Sequence, residues 1–182
     1  MALWTERDAL KARTNQLEAG FARWAAQRND TKRNFPGAAY VMVHSFAHLL
    51  LTAIAEECGY PASALRERVY ALAPGQFGVL LYTATTGADG TLGGLAACAG
   101  RIGPLVHRAV ELAALRSNDP ICAHHAPDED HSDRPLHGAA CHGCLFVAET
   151  SCEQRNDLLD RSLVTNTLEA AGAGFFASMS LV

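Results

Sequence analysis

The sequence lacks the motifs of several enzyme classes. It contains no G-x-x-x-x-G-K-[ST] phosphate-binding loop, which excludes a helicase motor of that class within these 182 residues. It also contains no H-E-x-x-H motif, which excludes the corresponding metalloproteases. No H-x-E or C-x-E arm is present and no proline precedes Cys141, so the signature of the zinc deaminases is missing. A non-enzymatic role is therefore favoured.

The sequence is also short of membrane and secretion signals. No run approaches the roughly 20 consecutive apolar residues that a membrane-spanning helix requires. The N-terminus has no basic segment followed by an apolar one, as a secretion signal would. Apolar residues make up 49% of the chain, as in globular proteins. We therefore expect a soluble cytoplasmic protein of one domain, with no membrane partner.

Charge is unevenly distributed along the chain. The net charge of −4 is unlike that of a protein that coats DNA. Residues 1–33, however, contain seven basic and four acidic side chains. A solvated helix face is the favoured interpretation of this alternation. Contact with a phosphate backbone or with an acidic partner is the alternative.

The cysteines carry the main chemical signal. Cys141 and Cys144 form a C-x-x-C turn, and Cys122 and Cys152 lie on either side of it. Four thiolates fill the tetrahedral shell of a structural zinc ion and leave no position for a substrate. The spacing favours zinc over disulfides in a reduced compartment. Cys58 and Cys98 lie outside this group and are interpreted as small buried hydrophobic residues.

Apolar periodicity predicts that helices dominate the fold. The predicted helices are amphipathic over residues 5–28, buried over 37–58, and amphipathic over 96–116 with a split at Gly103-Pro104. A last helix is predicted over 152–171, and a short helical turn near 62–67. The third helix is expected to bury one face, formed by Ile102, Val106, Val110 and Ala113. The last helix is expected to begin at Cys152, where its dipole would favour a thiolate.

Two short apolar runs, 69–72 and 77–83, predict strands joined by a turn. The second run is continuously apolar and predicts an interior strand. A glycine-rich loop follows over 85–95; its spacing is not that of a nucleotide-binding motif. Residues 117–151 show little periodicity, and we expect a bound metal to order them because binding energy then contributes to folding.

These elements predict an α+β fold. The expected architecture is a single domain, mostly helical, with a small β-sheet or hairpin and a loop region stabilised by a four-cysteine zinc site. The expected organisation is an N-terminal amphipathic helix over residues 1–34, the zinc-binding domain over 35–171, and a C-terminal tail over 172–182.

Several phrases, in order, carry a family resemblance. They are His44-Ser-Phe-Ala-His48, Leu65-Arg-Glu-Arg-Val-Tyr70, Gly78-Val-Leu-Leu-Tyr-Thr83, Asp89-Gly-Thr-Leu-Gly-Gly-Leu95, Asp119-Pro-Ile-Cys122, Gly138-Ala-Ala-Cys-His-Gly-Cys144, Glu149-Thr-Ser-Cys-Glu-Gln-Arg-Asn156 and Leu159-Asp-Arg161. Over about residues 35–165 the chain resembles the MrfA-like zinc-binding domain. That domain is the C-terminal domain of the MrfA-type DNA-repair helicases, and it also occurs in the DrmB protein of the DISARM anti-phage system.

The resemblance implies a zinc ion bound by Cys122, Cys141, Cys144 and Cys152. It also implies work beside a DNA helicase or translocase, in anti-phage defence or DNA repair. Because these residues contain no motor, the partner would act in trans, and DNA is a further candidate ligand. The role implied is that of an accessory interaction module.

Two histidines carry the enzymatic alternative. His44 and His48 lie four residues apart on one predicted helix face. The favoured interpretation is a pair of core histidines that are hydrogen-bonded to the backbone. The alternative is a polar catalytic site formed with Asp89 and Tyr82, acting on phosphodiesters. Five further histidines surround the cysteines and are expected to be loop residues or donors to the ligands.

Overall fold

The structure is a computed structural model that describes residues 2–73, 75–84, 92–114, 120–129, 132–167 and 169–178. In chain order, its regular elements are α1 (Ala2–Thr5), α2 (Asp8–Gln27), α3 (Ala38–Cys58), β1 (Leu65–Ala73), β2 (Gln76–Thr83), α4 (Leu92–Cys98), α5 (Ile102–Ala114) and α6 (Pro120–Ala123). Among the described residues the fold is mostly helical with one two-stranded antiparallel sheet, as the sequence predicts.

Helix α3 is the centre of the fold. It is apolar nearly all round, and Gly59 ends it in the left-handed conformation with φ 71°. Its length and mean hydropathy of 1.6 would suffice for a membrane span, contrary to the expectation that no segment comes close. However, 72% of its most apolar window is buried within the protein, as in the core helix of a globular fold.

Helix α2 packs on the body of the molecule through its apolar stripe. Leu10, Leu17, Phe21 and Trp24 are all buried, as their spacing predicts. The indole of Trp4 in α1 donates a hydrogen bond of 2.7 Å to the carbonyl of Ala173. The N-terminal segment thus contacts the C-terminal one.

Strands β1 and β2 form a hairpin in which Leu65 pairs with Thr83 and Ala71 with Phe77. Strand β1 begins four residues earlier than predicted. The prediction that β2 is an interior strand is wrong for the described residues, because the sheet has two strands and Leu80 and Tyr82 are exposed. The inner face of the hairpin packs on α3, whereas the outer face is open to solvent.

The predicted helix over 96–116 is divided. Helix α4 ends at Cys98, a 3-10 turn spans Ala99–Arg101, and α5 follows. Of the predicted face of α5, Ala113 is buried, Val106 and Val110 are half-buried, and Ile102 is 50% exposed; the other buried residues are Leu105 and Ala109. Cys98 is buried, as predicted, and Cys58 is half-buried; their sulfurs are bonded to each other, so the two residues are more than small hydrophobic side chains.

The predicted final helix, over 152–171, is absent from the described residues. In its place are turns and a 3-10 turn at Arg161–Leu163. Arg155, Asn156 and Leu158 all have positive φ, which an α-helix does not tolerate. This segment instead pairs with the stretch before the C-x-x-C turn: the amide of Gly138 donates to the carbonyl of Leu159. The dipole argument for a thiolate at Cys152 therefore does not apply.

Candidate metal centre

Three of the four predicted zinc ligands come together at one edge of the irregular segment. Cys122 lies in the short helix α6, and Cys141 and Cys144 lie on a turn closed by a 3.1 Å hydrogen bond from the amide of Cys144 to the carbonyl of Cys141. The Sγ atom of Cys144 lies 3.6 Å from that of Cys141 and 3.7 Å from that of Cys122.

These separations match a zinc shell. Zinc–sulfur bonds of about 2.3 Å place the sulfurs of a tetrahedral thiolate site about 3.8 Å apart. A disulfide would place them about 2.05 Å apart. Cys122 is buried, while Cys141 and Cys144 are partly exposed at the turn. The three sulfurs therefore fit three corners of a zinc site that lies close to the surface.

The thiols in this group do not ionise independently of one another. A hydrogen bond from Cys122 lowers the pKa of Cys144 to about 6, although burial opposes this shift. The same contact, together with burial, raises the pKa of Cys122 far above its ordinary value. One thiolate is therefore favoured in the absence of a cation, and a divalent cation is needed to stabilise three.

The four-cysteine shell is not confirmed, because Cys152 lies in a different group. Its Sγ atom is 3.2 Å from Nε2 of His44 and accepts a 3.3 Å hydrogen bond from the amide of Asn156. Ligand atoms of His44, His48, Glu67 and Cys152 all lie within 4.8 Å of one another, and all four residues are buried. The three clustered cysteines form a separate group by the same measure.

Of the candidate catalytic residues, the structure brings only His44 and His48 together among the residues it describes. His44 and His48 do share one face of α3, with ring centroids 4.6 Å apart. Asp89 lies outside the described residues. The side chain of Tyr82 projects from the exposed face of the hairpin, on which Arg66 is its cross-strand neighbour. The carboxylate that the structure places beside the histidines is that of Glu67, in β1.

Glu67 was not singled out in the sequence, although a signal for it exists. In β1 it lies on the same face as Leu65 and Val69, which points into the protein, whereas Arg66 and Arg68 lie on the opposite face, toward solvent. An acidic residue in phase with apolar ones is expected to be buried and to have a partner. The predicted strand begins at residue 69, so Glu67 lies outside the alternating pattern that would identify it as buried.

Comparison with known proteins identifies the family. The model of the MrfA Zn-binding domain matches residues 46–145. The chain belongs to the MrfA Zn-binding domain family. It is also 39% identical over 179 residues to the DISARM protein DrmB of Bacillus paralicheniformis. That alignment covers 97% of the chain but 31% of DrmB, so the chain spans about a third of the length of this relative.

Zinc is thus the cofactor that the family and the grouped ligand atoms support. The match to the MrfA Zn-binding domain includes His48, Glu67 and the three clustered cysteines. It ends before Cys152, and the similarity to DrmB extends across that residue.

The other histidines within the described part of the irregular segment belong to neither group. His124 pairs with Glu169 at 3.0 Å, and His125 contacts the carbonyl of Arg134. Nε2 of His137 lies 2.9 Å from the carbonyl of Asn156, and the ring of His142 packs edge-on against Phe146. They act as loop residues, as expected; His131 lies outside the described residues.

Proposed function

We propose that this chain is a zinc-stabilised module that docks on a DNA helicase or translocase in the cytoplasm, in a DISARM-type anti-phage system. Membership of the MrfA Zn-binding domain family supports work beside a helicase, and the similarity to DrmB favours anti-phage defence over DNA repair. The absence of a phosphate-binding loop from these residues supports a partner that supplies the motor. The observation that supports the proposal most directly is that the sulfurs of Cys122, Cys141 and Cys144 are spaced as zinc coordination requires.

The zinc group would function by fixing an exposed apolar side chain. Ile121 precedes Cys122 in α6 and is 75% exposed. A four-residue helix does not hold its shape in isolation, because the cost of nucleation exceeds the gain from one turn. Coordination of Cys122 would anchor this turn to the C-x-x-C turn. Zinc would therefore present Ile121 to a partner protein.

Co-purification tests the proposal. The tagged chain, expressed in its own host, is expected to recover a protein with a helicase motor. Cys141→Ser should abolish recovery by releasing zinc, and Ile121→Asp should abolish it while zinc and fold remain. Leu3→Asp changes an apolar side chain that is 89% exposed on α1 and should have no effect. Failure of the wild type to recover a motor protein would refute the docking role, and equal recovery by all four proteins would refute docking through the zinc group and Ile121.

An enzymatic role receives no support from the histidines. His44 and His48 are completely buried, so a phosphodiester in solution cannot reach them. The wild type and His44→Ala should both leave single- and double-stranded DNA and RNA intact. Cleavage by the wild type that His44→Ala eliminates, without loss of fold, would revive this alternative.

Direct DNA binding is the second candidate, and the outer face of the hairpin favours it. Arg66, Arg68, Tyr70, Leu80 and Tyr82 are exposed on that face. Guanidinium groups bind phosphates and tyrosine rings stack on bases, a combination found on surfaces that bind single strands. Arg66 pairs across the hairpin with Tyr82, so charge and stacking surface lie side by side.

The N-terminal basic residues are less available for DNA than their number indicates. Arg13 is buried in a salt bridge with Asp160. Arg23 donates to the carbonyls of Pro127 and Asp128, and Arg7 to that of Gly174. These cations stabilise the fold of the chain itself.

Fluorescence anisotropy with labelled single-stranded DNA tests this second candidate. Binding should weaken steeply with added salt. Arg66→Ser and Tyr82→Ala should each weaken binding further. Arg101→Ser, at an exposed arginine that pairs with Glu57 away from the hairpin, serves as the control. Equal binding by all variants would exclude the hairpin face.

A further inference from the structure

A second set of metal-ligating side chains lies in the interior, beneath the hairpin. His44 and His48 come from α3, Glu67 from β1, and Cys152 from the turn after residues 149–151. The exposed fractions of these four residues are 0%, 0%, 2% and 6%. Four ionisable groups buried together carry a large desolvation cost unless something neutralises them.

The two imidazoles are oriented as metal ligands. Nδ1 of His44 lies 3.2 Å from the carbonyl of Leu158, and Nδ1 of His48 lies 2.8 Å from the carbonyl of Leu145. A carbonyl oxygen only accepts hydrogen bonds, so each Nδ1 carries the proton. In the neutral ring the lone pair is then on Nε2. Histidines that bind metals are held in this way, with the other ring nitrogen bonded to a carbonyl.

Both Nε2 atoms point toward the same carboxylate and thiol. Nε2 of His44 is 3.4 Å from Oε1 of Glu67 and 3.2 Å from Sγ of Cys152. Nε2 of His48 is 4.0 Å from the same carboxylate oxygen. With zinc bonds of about 2.0–2.3 Å, neighbouring ligand atoms of a tetrahedral site lie about 3.3–3.7 Å apart. The three observed separations, 3.2, 3.4 and 4.0 Å, extend from just below to just above that range.

Two polar atoms of this group have no hydrogen-bond partner among the described residues. They are Nε2 of His48 and Oε2 of Glu67, and both are inaccessible to solvent. Buried polar atoms are nearly always hydrogen-bonded, and an unpaired one is costly. Both unpaired atoms are lone-pair acceptors. Nε2 of His48 lies 4.0 Å from Oε1 of the same carboxylate, so a cation bound between them would satisfy the imidazole and neutralise the carboxylate.

The geometry of His48 adds to this cost. Its Nδ1 proton is donated to the carbonyl of Leu145, so the lone pair on Nε2 faces the carboxylate of Glu67, with Oε1 at 4.0 Å. The lone pair and the carboxylate repel each other, and a metal ion bound between them would convert this repulsion into attraction.

We propose that His44, His48, Glu67 and Cys152 bind a zinc ion of their own, separate from the ion at Cys122, Cys141 and Cys144. Two imidazoles, one carboxylate and one thiolate make a closed tetrahedral shell, so this ion is structural. It would join α3, the hairpin and the turn after residue 151 through one centre. Cys152 belongs to this ion and not to the three-cysteine group.

Zinc content and X-ray absorption of the purified full chain test the assignment. The wild type is expected to hold two zinc ions. Three thiolates bind one ion and Cys152 binds the other, so the average over both ions should be about two sulfur ligands per zinc. Nitrogen and oxygen ligands should make up the rest. This measurement on the wild type does not depend on whether a variant folds.

Variants then assign the ions. His48→Gln should lose one zinc ion with a single thiolate, so substituted Co²⁺ should show only a small loss of thiolate charge-transfer absorption. Cys141→Ser should lose the other ion and most of that absorption. His107→Ala, at an exposed histidine of α5 outside both groups, should retain two ions.

One zinc ion with four sulfur ligands, retained in His48→Gln and lost in Cys152→Ser, would overturn the second site. That result would restore the four-cysteine shell and leave the docking role intact. Failure to recover a motor protein, with two zinc ions present, would instead count against docking alone.

Discussion

The guanidinium of Arg13 in α2 donates from Nε to Oδ2 of Asp160 at 2.7 Å, and both side chains are buried. Oδ1 of the same carboxylate accepts hydrogen bonds from the amides of Ala139 and Ser162. The amide of Asp160 donates to the hydroxyl of Ser45 in α3. Through its carboxylate and its backbone amide, Asp160 thus joins the N-terminal helix, the central helix and the stretch preceding the C-x-x-C turn.

Arg13→Met is expected to destabilise the chain by about 3–5 kcal/mol, because it leaves a buried carboxylate without its counter-charge. Urea unfolding of the zinc-loaded protein measures the loss. Lys11→Met, on the same helix, removes an exposed ion pair with Glu6 and should change stability by less than about 0.5 kcal/mol. Equal stability of the two variants would show that the buried pair contributes nothing.

The same carboxylate predicts an acid dependence. Burial raises the pKa of Asp160, but the charge of Arg13 and hydrogen bonds from Arg13 and Ser162 outweigh burial and bring it below its ordinary value. A depressed pKa contributes stability that is present above the unfolded value of about 3.9 and is lost as pH falls through the folded value.

The wild type should therefore lose more stability below about pH 4 than Asp160→Asn, which is less stable at neutral pH but lacks this titration. Urea midpoints from neutral to acidic pH, measured on both proteins, provide the test. Since both release zinc in acid, the difference between their curves isolates Asp160. Parallel curves would contradict the assignment.

The absence of a side chain at Gly138 leaves room for the carboxylate of Asp160. A Cβ atom at residue 138 would overlap the carboxyl group of Asp160 and would also meet Nη2 of Arg13. Gly138→Ala should therefore cost at least about 1–3 kcal/mol in thermal or urea unfolding. Gly103 in α5 has open space at the same position, and Gly103→Ala should be neutral or slightly stabilising. A tolerated alanine at 138 would mean that the pair adjusts freely.

The elements that the sequence predicts well are those with strong local signals. Helix α3 has continuous apolar character and a glycine cap, and α2 has an apolar stripe that repeats with helical spacing. The hairpin was predicted from its two apolar runs and the turn between them. Each of these signals lies within about 20 residues and needs no knowledge of distant contacts.

The segment after Cys152 shows where such signals fail. A helix is predicted over residues 152–171, yet distant partners decide the conformation there. The side chain of Asn156 donates to and accepts from the backbone of Val147, and the amide of Leu158 donates to the carbonyl of Leu136. Tertiary hydrogen bonds outweigh local propensity here.

The metal ligands fall into two separate groups for the same reason. The C-x-x-C turn is a local motif, and its sulfurs lie together as predicted. The position of Cys152 depends on the turn that carries it and on Glu67, which β1 brings from 85 residues away along the chain. Spacing identifies the ligand types in a sequence, but the packing of the hairpin on α3 determines which of them meet.

Hydrogen exchange with and without zinc is the most direct test of the central claim, that zinc orders the irregular segment. The amides of Cys144, Leu145 and Phe146 all donate to the carbonyl of Cys141. Removal of zinc by a chelator should accelerate exchange in the peptides that contain these amides, as Cys141→Ser should, while the middle of α3 remains protected. Unchanged protection around the C-x-x-C turn after complete removal of zinc would contradict the account.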